Sequence, residues 1–308
     1  HAALGLLWQE RADWPAAIAE QQAVLHQLVL RGDAPLDVAD AMVQLASSHF
    51  YAGELDRSDS LNRLALTTFR RLRGDNHPTV ADALINLGAA EFERGRYAAA
   101  EGYYREALSR VEAWHGPEHP TTASALTMLG RALTFQERRD EASTVLKRAL
   151  EIQERSFGPD HPRVSSVLND LATIAMQQGH FDEAERLWLR TEAIQLRVHG
   201  EHHWLLGIAR SNLGTVRTRM GDMPTAERYF RQAIALFTEA QGPGHLNTGI
   251  ARIKLGRALL GQRRWREATA ESQAGLDILQ ALDEAPQGFI DAAKTDLAAA
   301  AEALNEAR

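Results

Sequence analysis

Histidine is the residue type whose spacing in this chain most invites a chemical reading. His77, His119, His161, His203 and His245 recur every 42 residues, and His202 adjoins one of them. Imidazole is a common metal ligand. A shared ion, however, needs several ligands converging at bond lengths near ~2 Å. A full repeat of chain between successive copies keeps these rings apart. They read as helix-start or linker residues, and no metal is expected. The Gly-Pro pairs at 116–117 and 158–159 read as turn punctuation. A phosphate loop would need a glycine-rich turn after a strand, ending in Lys-Ser/Thr. No Ser/His/Asp order, paired-carboxylate pocket or His-Glu-x-x-His helix has a reason to converge. No catalytic residue and no cofactor are expected. The arginine runs at 70–73, 138–139 and 263–266 lie near helix ends or turns, where they complement the helix dipole.

Composition narrows the partners. The 308 residues carry 34 basic and 41 acidic side chains, a formal net charge of −7. No Lys/Arg block dominates, which disfavours nucleic acid. There is no cysteine, so a disulfide framework and thiolate chemistry are excluded. No apolar run approaches the roughly 18–20 residues of a membrane span, and membrane insertion is not expected.

The elements that must position any site are set by a repeat. A leucine followed by a small residue recurs every 42 positions: Leu45-Ala46, Leu87-Gly88, Leu129-Gly130, Leu171-Ala172, Leu213-Gly214, Leu255-Gly256 and Leu297-Ala298. Leu4-Gly5 precedes the series by 41. Glycine forms a second ladder (Gly32, Gly74, Gly116, Gly158, Gly200, Gly242) and a small residue a third (Ser58, Ala100, Ala142, Ala184, Ala226, Ala268). Residues 78–116 show one unit. Pro78 suits a first helical turn. Val80, Leu84, Leu87 and Phe92 follow at helical spacing. Gly95 reads as a left-handed cap. Tyr97 opens a second helix whose apolar stripe is Ala100, Tyr104, Ala107, Leu108 and Val111.

One such hairpin cannot bury both its faces, so neighbours must cover it. The pattern predicts an all-α stack forming one domain over 1–308. Its hairpins run at about 1–31, 35–73, 78–115, 120–157, 162–199, 204–241 and 246–281. A helix over 287–306, with Phe289, Ile290, Ala293, Leu297, Ala301 and Leu304 on one side, is expected to cap the open end.

The unit resembles tetratricopeptide repeats, specifically the 42-residue kind of kinesin light chains. The residues that carry the likeness are Gly-Pro-Glu-His-Pro at 116–120, Gly-Pro-Asp-His-Pro at 158–162 and Leu-Asn-Asp-Leu-Ala at 168–172. Gln-Gly-His-Phe-Asp-Glu-Ala-Glu at 178–185 and Arg-Ala-Leu-Glu-Ile at 148–152 complete it. Four positions depart from it: Trp204 and Leu246 replace the proline after histidine, and Glu137 and Arg263 replace the turn glycine. The resemblance implies a right-handed α-solenoid whose first helices line a concave surface that holds peptides. It is also similar to repeats appended to bacterial signalling proteins. The chain begins in mid-pattern at His1 and reads as part of a longer polypeptide of that kind.

By position, the resemblance places Phe50, Tyr51, Phe92 and Phe135 on the early part of that surface, as aromatic area. It places Arg131, Arg219, Lys254 and Arg257 on the later part, as positive charge. Asn86, Asn169 and Asn212 fall where a carboxamide can clamp the backbone of an extended peptide. These eleven residues predict a protein or peptide ligand, apolar at one end and acidic at the other. The full Lys/Asn/Arg set that clamps a chaperone's C-terminal carboxylate does not occur at matching positions, so chaperone-tail binding is not predicted. Among the tryptophans, Trp14, Trp188 and Trp265 read as packing, and Trp204 as partly exposed. The expected function is a non-catalytic interaction scaffold. Two other readings are a regulatory arm of a larger enzyme, such as a bacterial Ser/Thr kinase, and self-association through end repeats. The expected location is the cytoplasm, or outside it if a parent chain carries a membrane span before His1.

Overall fold

A computed structural model describes residues 13–306. Leu4-Gly5, Trp8 and the first helix of the first hairpin lie outside the described residues. The chain divides after Ser156 into two compact units. The first unit holds α1 (Trp14–Arg31), α2 (Pro35–Tyr51), α3 (Leu55–Arg73), α4 (Pro78–Glu93), α5 (Tyr97–His115), α6 (Pro120–Phe135) and nearly all of α7 (Arg139–Phe157). The second holds α8 (Pro162–Gln177), α9 (Phe181–His199), α10 (Trp204–Arg219), α11 (Met223–Gln241), α12 (Leu246–Gly261), α13 (Trp265–Gln280) and α14 (Gln287–Glu306). Among the described residues there is no strand.

The repeated histidines start the first helices. The Nδ1 atoms of His77, His119, His161, His203 and His245 accept the backbone N–H two residues on, at 3.1–3.3 Å. Each ring thus satisfies one of the orphan N–H groups of its helix. A cap of this kind needs Nδ1 unprotonated. Burial, and then the nearby His199, lower the pKa of His203 and favour that form.

The leucine–small ladder is a packing device. A Cβ on Gly88 would sit 2.5 Å from the Tyr104 ring, and one on Gly214 would sit 2.6 Å from the Phe230 ring. The missing side chain lets a large residue of the second helix lie against the first. Leu146 fills the corresponding place beside Gly130, and Trp188 shares a core with Ala172. Burying one such side chain stabilises by roughly 1.5–3 kcal/mol.

Among the described residues, each hairpin turn passes through a left-handed residue. The Arg96 N–H bonds the Glu91 carbonyl and the Gly95 N–H bonds the Phe92 carbonyl, which closes a Schellman motif. Gly95 has φ 72° there. Glu137 and Arg263 hold the same conformation, both at φ 61°, where a side chain costs about 1–2 kcal/mol. Both turns keep the full motif.

A polar network braces each of these two turns. Gln136 Nε2 donates to the Tyr97 carbonyl at 3.4 Å and to Glu101 Oε2 at 2.9 Å. Arg138 and Arg105 both bond Glu101. Burial raises the Glu101 pKa, but bonds from Arg105, Gln136 and Arg138 outweigh it and leave the carboxyl below its ordinary value. Every member recurs 126 residues later: Gln262 bonds the Met223 carbonyl and Glu227, and Arg264 and Arg231 bond Glu227.

Candidate functional site

The eleven expected site residues lie on the first helices, at or near their exposed surface, and each unit arranges its share differently. In the first unit the aromatic residues group at helix ends. Tyr51 closes α2 and stacks on Trp14, which opens α1, with centroids 5.1 Å apart. Phe50 meets Tyr51 edge-on. Phe135 closes α6 and stacks on Tyr97 at 4.9 Å, while Phe92 of α4 meets both rings edge-on. Despite these contacts Tyr51 is 63% and Phe135 57% exposed. An aromatic ring at that exposure, fixed by another ring, offers contact area with little entropy left to lose.

Asn86 on α4 is less free than its position suggests. Its Nδ2 donates to Asn62 Oδ1 at 3.4 Å. Asn62 is 1% exposed on α3 and donates in turn to the Ser58 carbonyl at 3.1 Å. Arg131, half-buried on α6, lies near Tyr104, whose hydroxyl pKa is raised chiefly by burial.

In the second unit the expected residues join hydrogen bonds that cross from repeat to repeat. Asn169 Oδ1 accepts from Trp188 Nε1 at 3.0 Å and from Asn212 Nδ2 at 3.2 Å. Lys254 Nζ donates to Ser211 Oγ at 3.2 Å. Both cross-repeat bonds span 43 residues, so one register produces both. Part of the Lys254 side chain reaches the surface, yet its ammonium is enclosed, and burial pushes its pKa down to about 8. No carboxylate among the described residues pairs with it.

Arg257 is the exception to the expected open positive charge. Its Nε lies 3.2 Å from both oxygens of Asp296 on α14, so the last helix neutralises it. Arg219 at the end of α10 is exposed and carries no ion pair among the described residues. Of the cations expected in this unit, Arg219 is therefore the one left exposed with no ion pair among the described residues.

Sequence reasoning did not identify Ser58, Asn62, Ser211 or Asp296 as members of this surface, nor the Trp188 indole as a donor to it. One signal was available. Asn62, Tyr104, Leu146, Trp188, Phe230 and Ser272 share a repeat position, and of these six only Asn62 and Ser272 are not large apolar or aromatic side chains. Ser58 likewise breaks a ladder that is otherwise alanine.

Among the described residues no three of His, Cys, Asp and Glu gather as a metal set. No described helix is long and apolar enough to cross a membrane.

The comparisons with known proteins agree on the architecture. The tetratricopeptide repeat profile matches residues 37–113, 80–155, 133–197 and 205–281. No curated protein matches the chain in sequence. Among solved structures, BtubC (BKLC) from P. vanneervenii is similar with a TM-score of 0.64 at 20% identity, over 75% of this chain and 94% of that one. A putative kinesin light chain with nearly identical repeats from Podosopora anserina gives 0.58 at 19% identity, over 68% and 99%. The Cut9-Hcn1 hetero-tetramer of APC/C gives 0.66 at 14% identity, over 93% of this chain and 48% of that one. With the profile matching four stretches from 37 to 281, the chain belongs to the tetratricopeptide repeat family.

Proposed function

We propose that the chain is a non-catalytic scaffold that holds a protein partner against the exposed surface of its first helices. The observation that carries this is the pair of large aromatic side chains, Tyr51 and Phe135, left in solvent although each is locked by stacking. Exposed rings held rigid are what an interface anchor requires. The first unit takes apolar residues of the partner. The second takes an acidic group through Arg219. Membership of a repeat family whose structural neighbours include a subunit of a hetero-tetramer supports the reading.

The test places a photo-crosslinking phenylalanine analogue at Phe135, or at Leu64, an exposed residue of α3. The Phe135 version should capture one defined partner from the source organism, and the Leu64 version should not. Tyr51→Ser should abolish capture, and Arg219→Glu should reduce it about tenfold, the effect of losing ~1.4 kcal/mol. Equal capture from Leu64, or capture indifferent to both substitutions, overturns the proposal.

A further inference from the structure

The exchange of a large side chain for Asn62 has a spatial consequence. In the next hairpin Tyr104 fills the space against Gly88. In this one Asn62 stands opposite Ala46 at the same register, and a cavity of about 110 Å³ opens instead. Its polar wall is Ser47, Ser58, Asn62 and Asn86, with Phe50 and Tyr51 beside them. All of these residues belong to the first unit.

The hydrogen-bond inventory of that wall is incomplete in a specific way. Ser47 Oγ donates to the Val43 carbonyl at 3.0 Å, so it offers only lone pairs to the cavity. Asn62 is fully engaged: it accepts from Asn86 and donates to Ser58. Asn86 Oδ1 accepts no bond among the described residues. Ser58, 1% exposed, accepts from Asn62 Nδ2 at 3.4 Å, and its own hydroxyl hydrogen has no acceptor among them. The cavity therefore shows two acceptors, Asn86 Oδ1 and Ser47 Oγ, and two donor hydrogens, that of the Ser58 hydroxyl and the second one on Asn86 Nδ2, whose other hydrogen bonds Asn62. No charged side chain lines it.

We propose that this cavity is a side-chain pocket for a primary carboxamide, the end of a glutamine or asparagine on the bound partner. A carboxamide brings two N–H donors and a carbonyl oxygen with two lone pairs, the complement of the two acceptors and two donor hydrogens on the wall. A carboxylate would enter without a cation, and an ammonium without an anion, and both would be desolvated uncompensated. An aliphatic side chain would leave the Ser58 and Asn86 groups unsatisfied. The volume of about 110 Å³ holds about four heavy atoms, given about 30 Å³ for one water. The inference rests on the proposed scaffold function and adds a residue preference to it.

The pocket can be tested without any partner, which separates its failure from failure of the scaffold reading. The probes are propionamide, propionate and propylammonium, alike in size and different in hydrogen bonding and charge. They are titrated at millimolar concentration into the full chain labelled with ¹⁵N at asparagine side chains. Propionamide should shift the Asn62 and Asn86 amide signals saturably and bind at least tenfold tighter than either ion. The double variant Ala46→Gly, Asn62→Tyr rebuilds the neighbouring Gly88–Tyr104 pair and fills the cavity, so its Asn86 signal should no longer respond. Asn86→Ala alters only a half-buried side chain and should weaken propionamide at least tenfold, read on Asn62, even if the double variant misfolds. Equal binding of all three probes, or propionamide binding that survives Asn86→Ala or the filled cavity, overturns the pocket.

Discussion

The exposed surface of the first helices carries different chemistry in the two units. In the first, helix ends present rings: Tyr51 and Phe135 stand in solvent, each backed by an aromatic that opens a second helix of the preceding hairpin. In the second, the helices present a chain of polar bonds, from Trp188 through Asn169 to Asn212, and from Lys254 to Ser211. The repeat length, the histidine caps and the turn geometry are common to both. One backbone plan therefore leaves a few positions free to vary, and the variation separates into contact area on one side and polar or charged groups on the other. The second arrangement is also tied to its core, because the indole that starts the chain of bonds is 4% exposed.

The most severe test of that contrast removes the tie. Trp188→Ala should cost about 3–5 kcal/mol, as large-to-small core changes of this kind do, and Tyr104→Ala in the first unit should cost a similar amount. Denaturant unfolding measures both. The Trp188 variant alone should also move the Asn212 side-chain amide signal in NMR. An unmoved Asn212 would show that the polar chain does not depend on the core.

Lys254 comes next. Its ammonium is enclosed without a counter-ion, so Lys254→Met should stabilise the chain at pH 7 by about 1–2 kcal/mol. The folded pKa is about 8 against an ordinary 10.5. Between those values the folded chain has released the proton while the unfolded chain still holds it. Wild-type stability therefore rises with pH across that window. The advantage of the variant should shrink as pH climbs from 8 to 10.5, and an advantage constant in pH would refute the assignment.

The braced turns provide an internal control, since each unit contains one. Glu137→Gly and Arg263→Gly relieve a left-handed side chain and should each stabilise by about 1 kcal/mol. Thermal unfolding of the two variants should show similar gains, because Glu101, Arg105, Gln136 and Arg138 recur as Glu227, Arg231, Gln262 and Arg264. Unequal gains would end that equivalence. The smallest effect belongs to His203. Its pKa is lowered on folding from 6.5, so its contribution is complete above that pH and is lost as pH falls through the window below it. His203→Asn keeps a capping oxygen that does not titrate in this range. It should flatten the stability profile just below pH 6.5 by less than about 1 kcal/mol.

Much of this was legible in the sequence. The His-Pro pairs and the leucine–small ladder mark where first helices begin and where second helices come close. Both signals are local and repeat. The reading of Trp188 as a packing residue holds, since it lies in a core with Ala172 and Leu213. The site was less legible, for a physical reason. The partner of Asn86 is on the preceding second helix, that of Asn212 is 43 residues back and that of Arg257 is 39 residues ahead. A position within one repeat says that a side chain reaches the surface, not whether a neighbouring copy has already taken its hydrogen bonds. Glu137 and Arg263 show the same limit. Alone they read as a weakening of the pattern, and only the acids of the preceding repeat explain how the turn is kept.

The two braced turns also bear on how such a chain can be recombined. Each network draws its acid from one copy and its glutamine and arginine from the next. A 42-residue segment cut out between them and moved elsewhere would carry Gln136 and Arg138 away from Glu101, or Gln262 and Arg264 away from Glu227, and leave a strained turn unsupported. The exchangeable cassette at these places is a pair of copies. Single copies can be traded where the turn is a glycine, whose backbone adopts that conformation without help from its neighbour.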